Sequence, residues 1–317
     1  MEIVRIVDPL AQIIALLQPS ASFTKIVTAT CPWAVRPPNM GPFYAAVLEG
    51  DLELRVRDHA PVQLRSGDFV LLPASDDLEV TSIIPPPGRR AMDPAEITPG
   101  VFHLGGPGVP TTRMMIGYCA FEADDAALLV SLLPRLVVVR GERRLTMLVE
   151  LAGDEARAER PGRDAVLARL LEVLLIEAFR SAGDTSPAPG LLRGLADERL
   201  AAALRRIHGE PRRPWTVGEL AQEAALSRST FFDRFRREVG VAPMEYLAGW
   251  RMALAKDLLS KDRASVGEIA ERVGYSSQST FSVAFARHVG ASPTAYARSR
   301  MTARDPASLV PQSPSSS

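Results

Sequence analysis

The chain has few of the residues on which disulfide-rich or metal-dependent folds are built. Its 317 residues include two cysteines, too few for a disulfide framework, and four histidines. No run approaches the ~18 consecutive apolar residues of a membrane-spanning helix, so we expect no membrane contact. The N-terminal stretch MEIVRIVDPLAQIIALL is apolar but lacks a basic start and a cleavage site, which favours an amphipathic segment over a signal peptide. We therefore expect a cytoplasmic protein.

Net charge is absent as well, because 37 basic residues balance 37 acidic ones, but the charge is unevenly distributed. Residues 191–304 contain 19 Lys and Arg against 12 Asp and Glu, and the rest of the chain has the opposite excess. A basic domain joined to an acidic one is typical of a nucleic-acid binder with a second domain that does not lie along the nucleic acid.

The most informative feature present is an internal repeat near the C-terminus. Residues 216–243 read TVGELAQEAALSRSTFFDRFRREVGVAP, and residues 265–293 read SVGEIAERVGYSSQSTFSVAFARHVGASP. With one residue inserted at Ser276–Ser277, 13 of the 28 aligned positions are identical. Two such copies predict two helix-turn-helix units that read neighbouring stretches of DNA major groove.

Each copy contains the local signals that such a unit needs. A Ser/Thr-x-x-Glu capping box predicts the start of a short helix. The turn after it falls at Gly274 in the second copy, where glycine accommodates a left-handed backbone, and at Ala225 in the first. Ser227, or Ser276 or Ser277, then caps a second helix. That helix is predicted to bury a phenylalanine pair in each copy, Phe231 with Phe235 and Phe281 with Phe285.

The face opposite the phenylalanines is predicted to enter the major groove. Arginine and glutamine are natural readers of guanine and adenine, aspartate can accept from cytosine, and apolar side chains can contact thymine methyls. Because the two faces differ, we expect two half-sites of different sequence. The predicted contacts are Arg228, Ser229, Phe232, Asp233, Arg236 and Arg237 in the first copy, and Gln278, Ser279, Ser282, Val283 and Arg287 in the second.

Residues 244–259, between the copies, have apolar residues at helical spacing. We predict one long helix there, which sets the distance between the two readers. The alternative is a small helical bundle with no role in DNA binding, but the repetition of cap, turn, phenylalanine pair and terminal glycine argues against it.

The repeat region is similar to the C-terminal domain of the AraC/XylS family of bacterial transcriptional regulators. The resemblance implies a sequence-specific factor that binds double-stranded DNA at the nucleoid, contacts RNA polymerase and more often activates than represses. Asp233 departs from the family, in which a basic or polar residue is common. The resemblance covers about 200–296 and includes LAQEAALSRSTFFDRF, GYSSQSTFSVAF and the closing residues Gly290, Ser292, Pro293 and Tyr296.

The N-terminal half has short β runs punctuated by turns, which predicts a β-barrel or jelly roll. The runs FYAAVLEGDLEL and RSGDFVLLP resemble the cupin-type domain of one branch of the family. The predicted fold class is therefore a multidomain α+β protein. A cupin-like β-barrel of jelly-roll type with helices precedes an all-α domain whose two helix-turn-helix units are joined by a long helix. Candidate strands are 23–28, 43–48, 52–57, 69–72, 79–83 and 114–121.

Composition sets the predicted domain boundaries. Residues 1–182 form the cupin-like domain, and the small, proline-bearing segment 183–190 is a linker. Residues 191–304 form the DNA-binding domain, and the Pro/Ser-rich segment 305–317 is a disordered tail.

Histidine is too scarce in the barrel for a metal centre. Metal-binding cupins need a histidine cluster, and this half has only His59, predicted in a hairpin turn, and His103, predicted in a loop. We therefore predict no metal, no cofactor and no enzymatic activity. A cupin-fold enzyme fused to a DNA-binding domain is the alternative that this scarcity disfavours.

The signal that the barrel senses is left open between several interpretations. Cys31 and Cys119 either sense oxidants, as cysteines do in related regulators, or are two buried small side chains. A third interpretation is a constitutive DNA binder whose barrel serves only for dimerisation. An aromatic and methionine stripe is either the lining of an effector pocket or plain core, and consists of Trp33, Phe43, Tyr44 and Met115.

Two helices are predicted after the barrel, at 124–133 and 163–179. The charged segment 153–162 is predicted to form a loop between them. The second helix has a broad apolar face, which we assign to a homodimer contact, as the family resemblance implies, although it could pack on its own barrel instead. The predicted dimer residues are Val166, Leu167, Leu170, Leu171 and Leu174.

Overall fold

The computed structural model describes residues 8–37, 41–57, 59–74, 77–121, 126–158, 160–182, 190–261 and 264–304. The chain divides into two compact units. The first comprises residues 8–198 with the short segment 237–240, and the second comprises 199–236 and the residues from 241 onward. The first unit thus continues past the predicted boundary at 190. All of the predicted linker except Gly190, and the whole predicted tail, lie outside the described residues.

The described part of the first unit contains two β-sheets. Its strands are β1 (Pro19–Thr30), β2 (Ala34–Val35), β3 (Phe43–Glu49), β4 (Asp51–Val56), β5 (Val62–Arg65), β6 (Phe69–Leu72), β7 (Leu78–Thr81), β8 (Ala95–Thr98), β9 (Val101–Gly105), β10 (Thr112–Phe121) and β11 (Val137–Val139). The larger sheet has the order β11-β6-β3-β10-β1-β9-β8, and the smaller one has the order β2-β7-β4-β5.

The two sheets confirm the predicted jelly-roll class, although no ladder among the described residues joins them into one closed barrel. All six predicted strands are present. The unpredicted strands are short, and β8 has no buried residue, so it lacks the alternation from which a strand is recognised. His103, predicted in a loop, lies on β9, where the parallel pairing with β1 places it beside Thr28.

Alternation along the strands decides which side chains enter the core between the sheets. Every second residue of β3 and of β10 belongs to the apolar core of this unit, and the residues between them face the other side of the larger sheet. The core residues of these two strands are Phe43, Ala45, Val47, Met114, Ile116 and Tyr118.

Helices cover the first unit. They are α1 (Pro9–Leu17), α2 (Ala126–Ser131), α3 (Arg143–Arg157), α4 (Arg163–Ala182) and α5 (Leu191–Ala196). The prediction of a charged loop over 153–162 was wrong for its first half, because α3 continues to Arg157. The charges concealed the helix in the sequence, although Leu145, Val149 and Ala152 form a buried stripe beneath them.

The predicted dimer helix also needs a correction. On α4, Leu167, Leu171 and Leu174 are buried within their own unit, at 5%, 1% and 1% exposure. The apolar face is wide because α4 packs on α3 and on β1 at the same time. Val166 remains exposed and Leu170 half-buried, so these two alone of the predicted set reach the surface.

The described part of the second unit contains helices joined by turns and loops, and no strand. Its helices are α6 (Glu198–Gly209, whose first residue is grouped with the first unit), α7 (Val217–Glu223), α8 (Arg228–Val239, of which 237–239 are grouped with the first unit), α9 (Pro243–Lys261), α10 (Val266–Arg272), α11 (Gln278–Val289) and α12 (Pro293–Arg304). The long helix predicted between the copies is confirmed as α9. Its 19 residues give a rod of about 28 Å at ~1.5 Å per residue.

The two copies fold alike around their phenylalanine pairs. Phe231 and Phe235 are fully buried with ring centroids 5.5 Å apart, and Phe281 and Phe285 repeat this arrangement at 5.5 Å. The repeat also extends one turn beyond each proline. Tyr246 meets Phe235 edge-on at 5.8 Å, and Tyr296 meets Phe285 edge-on at 5.6 Å; Tyr246 and Tyr296 are therefore equivalent residues.

The turn inside each copy has a left-handed residue at the same place. Ala225 has φ +50° and Gly274 has φ +88°. In both turns the next residue donates its backbone N–H to a carbonyl five residues earlier, Leu226 to Ala221 and Tyr275 to Ala270, each at 2.9 Å. The first copy therefore places a side chain where glycine is favoured.

Exchanging the residues at these two turns should change stability in opposite directions. We expect Ala225→Gly to stabilise the second unit by up to about 1 kcal/mol, because it relieves a left-handed alanine. We expect Gly274→Ala to destabilise it by at least about 1 kcal/mol, because a Cβ there would lie 2.5 Å from the Pro211 carbonyl oxygen. Urea unfolding of both variants measures the difference, and equal effects of the same sign would contradict it.

Candidate functional site

The first helix of each copy, α7 or α10, starts at a hydrogen-bonded capping box. In the first copy Glu219 N–H donates to Thr216 Oγ1 (3.2 Å), and Thr216 N–H donates to Glu219 Oε2 (2.8 Å). Ser265 and Glu268 repeat both bonds at 3.2 and 2.7 Å. In both copies the bonds from the Ser/Thr hydroxyl and backbone hold the pKa of the glutamate below its ordinary value. Both predicted capping boxes are confirmed.

The second helix of each copy starts at a serine. Thr230 N–H donates to Ser227 Oγ at 3.3 Å, and Thr280 N–H donates to Ser277 Oγ at 3.2 Å. Ser277, rather than Ser276, is therefore the equivalent of Ser227. The N-terminal ends of α8 and α11 are exposed, so their backbone N–H groups can face a phosphate or a base edge.

Burial of the phenylalanine pairs turns the predicted contact residues outward. On α8 all six predicted residues are exposed, including the apolar ring of Phe232. On α11 Gln278, Ser279, Val283 and Arg287 are exposed and Ser282 is half-buried. Val283 is 71% exposed, which is unusual for an apolar side chain with no role at a surface. Both faces have the exposure that base reading requires, and the individual DNA contacts stay predictions.

The two faces differ in charge. The exposed face of α8 presents Arg228, Arg236 and Arg237, whereas that of α11 presents Arg287. Arg237 pairs with Glu238 at 2.8 Å, and among the described residues Asp233 forms no ion pair with Arg236 or Arg237. The Asp233 carboxylate is therefore available to a DNA base. The first reader is expected to supply more of the salt-dependent affinity.

A second candidate site lies inside the first unit, where the two sheets enclose a cavity of about 100 Å³. Its wall is mostly apolar, and Lys25, Arg36 and Asp93 are its charged residues. Lys25 Nζ lies 5.0 Å from the ring centroid of Phe102 and 5.8 Å from that of Tyr118. Burial lowers the pKa of Lys25.

Of the four predicted pocket residues, Phe43 alone lines this cavity. Tyr44 and Met115 point to the other side of the larger sheet, where Tyr44 stacks on Phe69 and Met115 packs against Gly153 of α3. Trp33 is buried in the core without reaching the cavity. Adjacent residues of a strand face opposite sides of the sheet, so neighbours such as Phe43 and Tyr44 cannot both line the same cavity.

The two cysteines have different surroundings. Cys31 is exposed, whereas Cys119 is buried, and burial raises the pKa of its thiol to about 12. Cys119 pairs with Ala21, ten positions along β1 from Cys31. At ~3.3 Å per residue the two thiols are about 30 Å apart, so they cannot form a disulfide within one chain. The interpretation as two buried side chains holds for Cys119 alone.

The histidines of the first unit are separate from each other. His103 Nδ1 lies 3.0 Å from Thr28 Oγ1, and His59 lies in the turn after β4, as predicted. Within the described residues no three His, Cys, Asp or Glu side chains are grouped so that they could hold a metal ion. No described helix is long and apolar enough to span a membrane.

Comparison with known proteins gives the class first. A cupin family model matches residues 8–184, and a helix-turn-helix domain model matches residues 220–299. Two proteins described as AraC-like transcription regulators, from Streptomyces lividans and Streptomyces antibioticus, are each 34% identical. The first match covers 91% of this chain and 97% of the relative, and the second covers 93% and 99%. The chain therefore belongs to the AraC-like transcription regulators, and it is a DNA-binding regulator with an N-terminal cupin domain.

Solved structures of the family are also similar to parts of the chain. The DNA-binding domain of AdpA in complex with a target DNA is 32% identical, covers 33% of this chain and 95% of its own, and has a TM-score of 0.32. ToxT from Vibrio cholerae is 13% identical, covers 87% of this chain and 96% of its own, and has a TM-score of 0.35.

Removing one reader side chain should relax base preference at one position. Arg228→Ala and Gln278→Ala should each reduce discrimination by about 1–3 kcal/mol at a different base pair, because each removes the side chain that is predicted to make a bidentate base contact. Sequencing of duplexes selected from a random library by each variant measures this. Arg65→Ala, an exposed arginine of the first unit, is the control and should select the wild-type site. Unchanged base preferences in both reader variants would contradict the groove assignment.

Proposed function

We propose that this regulator is a homodimeric activator whose cupin domain binds a small molecule, and whose two readers occupy an asymmetric pair of half-sites. The observation that carries the effector assignment is an apolar cavity with a lysine in its wall. The reader faces support the two unlike half-sites, because α8 and α11 present different side chains on the same scaffold. RNA polymerase is the partner that an activator of this kind contacts.

The chemistry of the cavity supports an effector with an apolar body and one negative charge. Lys25 is the sole lysine in the first 255 residues, among many arginines. Its ammonium lies near two aromatic rings in an apolar wall. A carboxylate bound there would be only weakly solvated by water, so it would need the lysine as its partner. An apolar cavity of about 150 Å³ accommodates benzene, so the volume here suits a small ligand. A short-chain carboxylate fits these constraints.

Redox sensing is the second candidate signal, and exposure of Cys31 is the observation that supports it. One relative, described as an RCS-specific transcriptional activator from Escherichia coli, is 33% identical over 143 residues, about half of its length. That description also supports activation as the sign of regulation. With Cys119 buried and distant, an oxidised Cys31 would have to act alone or with a partner thiol from another molecule.

Dimerisation is supported by an apolar stripe on the outer surface of α3 and α4. Met147 and Leu151 on α3 are each 52% exposed, and Val166 and Val173 on α4 are 45% and 40% exposed. The two helices run antiparallel, and an ion pair of 3.4 Å between Arg144 and Glu177 fixes their register. We infer that these four side chains form one apolar stripe, which a second copy of the chain covers.

The effector proposal is tested by binding. We expect the short-chain carboxylates propanoate and butanoate to bind and to raise Tm, whereas the matching primary alcohols bind at least about tenfold more weakly. Lys25→Met keeps the apolar stem and should abolish this preference, and Arg55→Met, on the outward face of β4, should retain it. Equal binding of acids and alcohols by the wild type would contradict the charge assignment. A response to oxidant that Cys31→Ser abolishes would favour redox sensing instead.

The dimer proposal predicts that a charge within the stripe separates the protomers. Leu151→Glu should weaken self-association at least about tenfold, because it buries an unpaired carboxylate at the contact. Sedimentation equilibrium measures the dissociation constant. Val109→Glu introduces the same charge at an apolar side chain that is 86% exposed outside the stripe, and should leave association unchanged. Equal association of wild type and Leu151→Glu would contradict the assignment.

A further inference from the structure

One arginine of the second unit contacts the second copy of the repeat and the loop that leads into the first, without belonging to either reading face. Arg251, in the middle of α9, donates from Nε to the carbonyl oxygen of Pro211 at 2.9 Å. Its Nη2 donates to the carbonyl oxygen of Arg213 at 2.8 Å. These carbonyls belong to the loop that leads directly into the capping box of the first copy at Thr216.

The same guanidinium also faces the turn of the second copy. Its centre lies 5.8 Å from the ring centroid of Tyr275. A Cβ on Gly274 would lie 2.8 Å from Arg251 Nη2 and 2.5 Å from the Pro211 carbonyl oxygen, so the turn and the loop are in close contact here. Arg251 is half-buried, and burial lowers its pKa. A half-buried guanidinium that donates to two part-buried backbone carbonyls is strongly directional.

We infer that Arg251 is a positioning residue that fixes the spacing and relative rotation of the two readers. The helix α9 connects the copies covalently and packs on each of them, through Tyr246 against Phe235 in the first and through Met252 in the core of the second. The contact of Arg251 with the loop over 211–213 and with the turn at Gly274 is a second connection. With both in place, α8 and α11 are presented as one rigid pair, and the protein selects the distance between half-sites as well as their sequences.

This inference rests on the proposed two-half-site function, and it is tested on spacing. One extra base pair between half-sites shifts the second by about 3.4 Å and rotates it by about 35°. The probes are the duplex that the full-length chain selects from a random library and the same duplex with one base pair inserted centrally. The measured quantity is the dissociation constant for the duplex with the insertion divided by that for the selected duplex. We expect Arg251→Met to lower this ratio at least about fivefold, while base preferences within each half-site stay as in the wild type.

The controls separate positioning from general stability. Arg212→Met removes an exposed ion pair with Glu271 in the same region (2.8 Å) and should leave the ratio unchanged, because exposed pairs contribute little. Arg251→Lys keeps the charge without the fork of donors and should give an intermediate ratio, which provides a second measurement if Arg251→Met folds poorly. An equal loss of affinity for both duplexes, or no loss, would overturn the inference. Selection of a site without two halves would overturn the proposed function with it.

Discussion

Burial of two phenylalanines on one side of each recognition helix is the constraint on which the DNA-reading surface depends. Side chains four residues apart share a helix face, so burying Phe281 with Phe285 turns the residues between them to solvent. Phe231 and Phe235 do the same in the first copy. The core therefore specifies which residues can meet DNA, and side chains on the outer face can vary between the copies without disturbing the fold. Two unlike readers on one scaffold are the result.

The cupin domain depends on an equivalent rule with a period of two. Because neighbouring strand residues face opposite ways, β1 directs Lys25 and Val27 toward the cavity, and β10 directs Cys119 away from it. The cavity wall is therefore mostly apolar, with Lys25, Arg36 and Asp93 as its charged residues. The same rule separates the buried thiol of Cys119 from any effector in the cavity.

Much of the second unit could be predicted because its signals are local. Capping boxes, the phenylalanine spacing and the left-handed turn each involve residues within one or two helical turns. The structure contains all three in both copies. The first unit was harder to predict. The helix over Arg143–Arg157 was concealed by surface charges, and β8 and β9 have too few buried residues to form a pattern. Non-local pairing holds those strands in place, and a sequence does not display its pairing partners.

By itself the sequence determined the class of protein, the two readers and their outward faces, because helix periodicity and capping are encoded within short segments. Only the tertiary structure decided which side of α4 is buried, that Lys25 rather than Tyr44 faces the cavity, and that Arg251 contacts both the loop over 211–213 and the turn at Gly274. These are properties of surfaces that meet across long stretches of chain. They depend on which elements pack together, and that choice is made by the whole fold rather than by any one segment.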